Sequence, residues 1–330
     1  MRIVITGAAS FLGLALCRRF SEAGDRVFAL VRPGARNKKA LLALADAFPA
    51  LQIIEMDVGE MAHFREHFDV CLHLAWGGIG SQGRMDSAIQ EVNVANTKTV
   101  AAVCARQGCK KLLFAGSQAE YGNTLQRVEK TYGRDWRLNR LPKMAEDFPP
   151  SPLSEYGRGK LKVWQELSRL GGDMEYMHLR IFSVFGRGDH ETSLVAHCIR
   201  QMKRGEKALL GECTQAWNYL YEKDLVEAVF LLASLPPQRG LARIINVASR
   251  RTDLLRAFAA EIGDFYGVPE LLEFQKREAG EEGIPFLNPD ISLLEGFGFQ
   301  EKFSFSQALQ DMEKDAWQGE LQNSMRTRNL

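Results

Sequence analysis

Several things are scarce in this sequence. Its 330 residues hold six cysteines, Cys17, Cys71, Cys104, Cys109, Cys198 and Cys213. No two of them stand at the two-residue gap of a zinc or redox pair, so no metal site is expected and the thiols read as reduced, in a cytoplasmic protein. No apolar run approaches the roughly 20 residues that a membrane span requires. The chain opens on an apolar strand pattern without a basic leader or a small-residue cleavage site, so neither secretion nor a membrane partner is expected. An excess of one charge is missing too. The 42 Lys and Arg residues against 41 Asp and Glu leave a net charge of +1, which gives nucleic acid no electrostatic footing. Internal repeats and low-complexity stretches are absent. What is left is a globular enzyme or binding protein, 45% hydrophobic.

The first half alternates short β-branched runs with helical patterns. Strands are expected over Arg2–Thr6, Arg26–Val31, Gln52–Met56, Val70–Leu74, Lys111–Ala115 and Tyr176–Ile181. Helices are expected over Leu12–Glu22, Lys39–Phe48, Met61–His67, Ile89–Arg106 and Tyr156–Leu170. Strands separated by helices make βαβ units, and these imply an α/β fold with a doubly wound parallel sheet. Beyond residue 186 the elements shorten, with helical patterns at Ser193–Gly205, Lys223–Ser234 and Thr252–Tyr266. The expected organisation is a nucleotide-binding domain over 1–186 and a smaller C-terminal substrate-binding lobe over 187–318. Part of that lobe returns to the first domain. A polar, flexible tail covers 319–330.

The turn Thr6-Gly7-Ala8-Ala9-Ser10-Phe11-Leu12-Gly13 joins the first strand to the first helix. That context gives its glycines a purpose: Gly7 permits the tight turn, Gly13 lets helix and sheet approach, and the helix N-terminus attracts a pyrophosphate. Ser10 replaces the usual middle glycine, and it is small enough to leave the backbone accessible. Gly7, Ser10, Phe11, Leu12 and Gly13 are therefore candidate contacts of a dinucleotide, the Rossmann arrangement. After the second strand come Val31-Arg32-Pro33, then Arg36, Lys38 and Lys39, with no acid before Asp46. A guanidinium suits a ribose 2′-phosphate, so Arg32 favours NADP(H) over NAD(H). Asp57 and Val58 follow the third strand, where a carboxylate can accept from the adenine amino group. Leu74, Ala75 and Trp76 end the fourth strand beside the expected cofactor, and Asn93 is placed to order that region.

Tyr156-Gly157-Arg158-Gly159-Lys160 sets a phenol and an ammonium at i and i+4, on one helix face. The ammonium favours the phenolate and makes the phenol a usable acid–base group for alcohol–ketone chemistry. Ser117 follows the fifth strand in Gly116-Ser117-Gln118-Ala119-Glu120-Tyr121-Gly122, where its hydroxyl can hydrogen-bond a substrate oxygen.

With these motifs the chain resembles the extended short-chain dehydrogenase/reductases, specifically the NAD(P)-dependent epimerase/dehydratase family that modifies nucleotide sugars. The resemblance rests on Thr6–Gly13, Asp57, His73-Leu74-Ala75, Asn93, Ser117–Gly122, Tyr156 with Lys160, Arg180 through Gly186, and Tyr219–Asp224. It implies a Ser117, Tyr156 and Lys160 triad, hydride transfer at C4 of the sugar, and a homodimer built on the Ile89–Arg106 and Tyr156–Leu170 helices. Gln118, Glu120, Arg180, Arg187 and Trp217 are the expected substrate contacts.

Two positions depart from the family pattern. The Asp-Glu pair that follows the catalytic hydroxyl in dehydratases is Gln118-Ala119 here, which counts against 4,6-dehydration. The arginine that contacts the substrate diphosphate in many members is Trp217, so Arg187 and the Arg250-Arg251 pair are candidates to hold that group instead. Two reactions remain, a C4 epimerase with tightly held NAD and an NADPH-dependent 4-ketoreductase. A non-catalytic NADP(H)-binding regulator is the alternative from another class, although it would need none of the three catalytic residues.

Overall fold

The computed structural model describes residues 1–330 apart from 36, 123, 125–129, 131–140, 277–285 and 315–330. Arg36 of the basic run and the expected tail over 319–330 lie outside the described residues. The strands are β1 (Arg2–Thr6), β2 (Arg26–Val31), β3 (Leu51–Glu55), β4 (Val70–His73), β5 (Lys111–Ser117), β6 (Glu175–Ile181), β7 (Ser183–Phe185), β8 (Ala208–Leu209), β9 (Ala216–Tyr221), β10 (Ala242–Val247), β11 (Thr252–Leu254) and β12 (Leu272–Glu273). The helices that matter for the site are α1 (Phe11–Glu22), α2 (Lys38–Ala47), α3 (Ser81–Met85), α4 (Ser87–Arg106), α5 (Glu155–Leu167), α6 (Leu194–Arg204), α7 (Glu222–Ser234) and α8 (Leu255–Tyr266).

Seven strands form one sheet in the order β10-β6-β5-β4-β1-β2-β3, every neighbouring pair parallel. Alternate residues of β1 explain why its sequence is apolar throughout. Ile3 and Ile5 enter one core with Leu16 and Phe20 of α1, Leu41 of α2 and Leu225 of α7. Val4 enters the opposite core with Val94 and Val100 of α4 and Val163 of α5. A parallel strand buried on both faces reads as a continuous hydrophobic run, and each such side chain contributes about 1.5–3 kcal/mol of transfer free energy. Strand order reverses between β1 and β4, which opens a crevice at their carboxyl ends, where such sheets bind ligands.

A third core belongs to the smaller lobe. Phe185, Phe258 and Phe305 pack there with ring centroids 4.8–4.9 Å apart, between the three-stranded sheet β11-β9-β7 and helices α6 and α8. The chain returns from the lobe through α7, which packs on α1, and through β10, which becomes the sheet's seventh strand.

The helix expected over Tyr156–Leu170 ends at Leu167, and three further elements differ for identifiable reasons. The helix expected over Met61–His67 is a 3-10 helix over Val58–His63, started by the Asp57 side chain accepting from the Gly59 N–H at 2.9 Å. The helix expected from Thr252 begins at Leu255, because Thr252–Leu254 pairs antiparallel with β9. β5 continues through Ser117, two residues beyond its expected end, because β6 pairs with it as far as Ile181. All six cysteines are buried and none is disulfide-bonded. Among the described residues no helix is long and apolar enough to cross a membrane.

Candidate active site and cofactor cleft

The glycine turn lies directly against the end of β4. Gly7 has φ +68°, and a Cβ there would fall 2.9 Å from the Ala75 nitrogen. A Cβ on Gly13 would fall 2.3 Å from the Gly7 carbonyl oxygen, so α1 starts in contact with the turn. Ser10 caps α1 by accepting from the Gly13 N–H at 3.1 Å. Helix geometry leaves the Phe11 and Leu12 N–H groups without intrahelical acceptors, as a phosphate site requires. The residues present therefore fit a dinucleotide: a turn lined largely by backbone and small side chains, and a positive helix end. At the next strand end Arg32 is exposed. The nearby Glu55 is paired with Lys38. Asp57 is exposed and uses only Oδ1, in its cap, among the described residues.

A chain of buried hydrogen bonds fixes the β4 end. The N–H groups of Leu74 and Ala75 both donate to Thr6 Oγ1 at 3.2 Å. That leaves the Thr6 proton for His73 Nδ1, 2.7 Å away. The ring proton is then on Nε2 and goes to Thr97 Oγ1 at 3.0 Å, while Thr97 donates to the Asn93 carbonyl oxygen at 2.8 Å. His73 is thus neutral, and burial together with the Lys160 charge pushes its pKa down to about 3. Asn93 clamps Gly77 through both its N–H and its carbonyl, at 2.9 Å each. Gln90 accepts from Trp76 Nε1 at 2.7 Å.

Of the three expected catalytic residues, Ser117 ends β5 and Tyr156 and Lys160 stand one turn apart on α5. Ser117 Oγ accepts from the Ala119 N–H at 3.1 Å, which leaves its own proton for a substrate oxygen. Ser154 caps α5 by accepting from the Gly157 N–H, and half-buried Tyr156 lies in the first turn with its ring 6.2 Å from that of Trp76. One turn on, Lys160 is 3% exposed and donates to the Ala115 carbonyl oxygen at 2.5 Å. Its Nζ lies 3.8 Å from the Trp76 ring centroid and 5.6 Å from that of Tyr156. Burial pushes the ammonium down to about 7, a fall that the Glu120 charge moderates and the Arg84 charge deepens.

Other expected site residues are placed differently. Glu120 and Arg180, at 0% and 2% exposure, do not reach the cleft, which corrects the substrate contacts expected of both. Glu120 accepts from the Ser117 N–H at 2.9 Å, from His178 at 2.8 Å and from Arg180 Nε at 3.0 Å, so it holds the strand end. Those partners keep its carboxyl below the usual range although burial opposes them. Asn93 spends its side-chain amide on Gly77 and so orders the loop after β4. Gln118 is half-buried. Its Nε2 donates to Ser183 Oγ at 3.2 Å, and its buried Oε1 has no partner among the described residues. Trp217 is half-buried on β9, and its indole N–H is also without a described partner. Arg187 is exposed on the turn after β7. Arg250 pairs with Glu295, and Arg251 pairs with Glu261 at 2.7 Å and Asp253 at 2.9 Å. Thr6, Arg84, Gln90 and Thr97 were not expected. The signal available was Gln90, Asn93 and Thr97, polar residues at helical spacing on a face of α4 that had to be buried.

Residues 3–248 match the model of the NAD dependent epimerase/dehydratase family. A UDP-glucose 4-epimerase of Azospirillum brasilense is 25% identical over 310 residues, covering 85% of this chain and 82% of the relative. A UDP-glucuronic acid 4-epimerase from Bacillus cereus, solved with UDP-glucuronic acid and NAD, superposes with a TM-score of 0.78 at 20% identity, over 94% of this chain and 98% of that one. A dTDP-glucose 4,6-dehydratase from Streptomyces venezuelae, solved with NAD and TYD, superposes with a TM-score of 0.77 at 19% identity, over 94% and 95%. With a family match across three quarters of its length and a Rossmann-like sheet, the chain belongs to the NAD dependent epimerase/dehydratase family of extended short-chain dehydrogenase/reductases.

Proposed function

We propose that the protein is a 4-epimerase of a nucleotide-activated sugar that retains NAD through turnover. The observation that carries this reading is Lys160, a buried ammonium held on the carbonyl of Ala115, two residues before Ser117 and one helical turn behind Tyr156. In this reading Tyr156 takes the proton of the sugar's C4 hydroxyl, and the Lys160 charge lowers the cost of the phenolate. Ser117 donates to the same oxygen as negative charge develops on it. A nicotinamide in the β1/β4 crevice would supply the hydride acceptor, and later the donor. Its dinucleotide would be held by Gly7, Ser10, Phe11, Leu12 and Gly13, with Asp57 and Val58 towards the adenine and Leu74, Ala75 and Trp76 along the strand end. When hydride returns to C4, Tyr156 gives its proton back to the oxygen and the alcohol is restored.

Gln118 and Ala119 support epimerisation over dehydration, because neither is an acid, and Glu120 is locked to His178 and Arg180. Gln118, Arg187 and Trp217 remain the substrate contacts of this reading. Residues 1–186 hold the dinucleotide and most of 187–318 the nucleotide sugar. Two copies pair through α4 and α5. The groove between these helices is lined by Ala102, Ala105, Leu161 and Leu170, and Val92 and Leu170 are 58% and 59% exposed.

One observation favours a second reading. Exposed Arg32 suits the 2′-phosphate of NADPH, which a 4-ketoreductase would consume. Mass spectrometry of the purified protein separates the two. Co-purifying NAD, with interconversion of UDP-glucose and UDP-galactose or another C4 pair, supports the epimerase. An empty protein that binds NADPH and reduces a 4-keto sugar nucleotide overturns it.

A further inference from the structure

The short helix α3 belongs to none of the motifs above, yet it brings a second cation to the catalytic phenol. Arg84 Cζ stands 4.2 Å from the centroid of the Tyr156 ring. The backbone that carries Arg84 is tightly fixed. Gln90 Nε2 donates to the Gly83 carbonyl at 2.8 Å and to the Gly78 carbonyl at 3.3 Å. A Cβ on Gly83 would fall 2.5 Å from the Gly78 Cα, and Gly78 has φ +65°, so the loop closes on itself through two glycines. The oxygen of the same Gln90 amide accepts from Trp76, whose ring packs edge-on to Tyr156 at 6.2 Å and under Lys160. One side chain thus sets both the indole beneath the lysine and the turn that carries the arginine.

We propose that Arg84 is a positioning residue for the acid–base chemistry, a second cation that acts through Tyr156 by favouring its phenolate over its phenol. This rests on the assignment of Tyr156 as the base. A guanidinium over an aromatic face is attracted by the ring's π-density, and the attraction grows when the ring carries a full negative charge. Arginine stays charged throughout the working pH range. Lys160, pushed down to about 7 by burial, is partly neutral there, so the charge that Arg84 adds is the steadier of the two.

Among the described residues, the charged groups near Tyr156 come from the elements packed against it. On α5, Lys160 faces the ring and Glu155 is bound to Arg158 on the outer side. On α4, Gln90 is uncharged and the Lys98–Glu166 pair joins α4 to the far end of α5. The turn after β5 contributes Ser117 and Glu120, the latter tied to His178 and Arg180. Behind Trp76, His73 is neutral.

Ultraviolet difference titration of wild type against Tyr156→Phe reads this phenol without any substrate. The same pair of proteins is then compared in an Arg84→Met background. The Tyr156 midpoint is expected to rise by about one pH unit in Arg84→Met, and Arg84→Lys is expected to fall between the two. If Arg84→Met does not fold, Arg84→Gln carries the comparison. An unchanged midpoint overturns the role given to Arg84, whatever the activity. A raised midpoint in a protein that turns over no sugar nucleotide supports that role and counts against the epimerase reading alone.

Discussion

A Cβ on Gly157 would lie 2.4 Å from the carbonyl oxygen of Ala119. The first turn of α5, which carries Tyr156, is therefore pressed onto the turn that follows Ser117. Gly157→Ala must push the helix outward. It is expected to cost about 1–3 kcal/mol in urea unfolding, as overpacking does. It is also expected to lower kcat roughly tenfold to a hundredfold through misplacement of the phenol, with a smaller change in KM. A variant with wild-type kcat would show that the contact does not set the catalytic geometry.

The proton arrangement around His73 has a measurable consequence. Its folded pKa of about 3 lies below the ordinary value of 6.5. The unfolded chain therefore binds more protons between those values, and stability falls as pH drops from about 6.5 towards 3. By pH 5 the loss assigned to this residue is about 2 kcal/mol. His73→Asn removes the titration, so its unfolding free energy between pH 7 and pH 5 should be flatter than wild type by about that amount. Parallel slopes in urea titrations would rule out a neutral buried imidazole.

The NADP contact expected of Arg32 is open to a direct test. Removing an exposed guanidinium from the end of β2 should leave NAD affinity unchanged and weaken NADP at least about tenfold. Arg32→Asp should go further, because a carboxylate there repels a 2′-phosphate and accepts from the ribose hydroxyls. Competition binding of the two dinucleotides to Arg32→Ala and Arg32→Asp reads both effects. Weaker NAD with unchanged NADP would contradict the placement of Arg32 at the ribose.

The proposed pairing through α4 and α5 predicts a monomer when a charge is placed in the groove. Leu161→Glu puts a carboxylate among Ala102, Ala105 and Leu170. An unpaired charge in an apolar interface costs several kcal/mol. Light scattering after gel filtration should report twice the chain mass for wild type and the chain mass for the variant. Equal masses would place any self-association on another surface.

The sheet was legible because strands buried on both faces have to be apolar in continuous runs, and the middles of β1, β2 and β4 are. The glycine turn and the tyrosine–lysine pair were legible because each depends on local spacing along the chain. Glu120 and Arg180 were misjudged for the converse reason. In sequence, a charged residue beside a catalytic serine suggests a ligand, but His178 and Arg180 come from β6, and only the β5–β6 pairing brings them under Glu120. Arg84 was invisible because nothing in Gly80–Met85 reports that Gln90 folds that turn onto α5.

The return of the chain through β10 bears on how the protein is made. β6 is complete at residue 181, but its outer edge stays unpaired until Ala242–Val247 is available. An open strand edge invites wrong pairings. Asn246 then ties that last strand to the loops around Met144 and Asp290, through donations to their carbonyls at 2.8 and 3.0 Å. During synthesis the dinucleotide-binding half must therefore wait, with one edge exposed, while most of the smaller lobe is translated. The match to the family model ends at residue 248, one residue beyond the strand that closes the sheet.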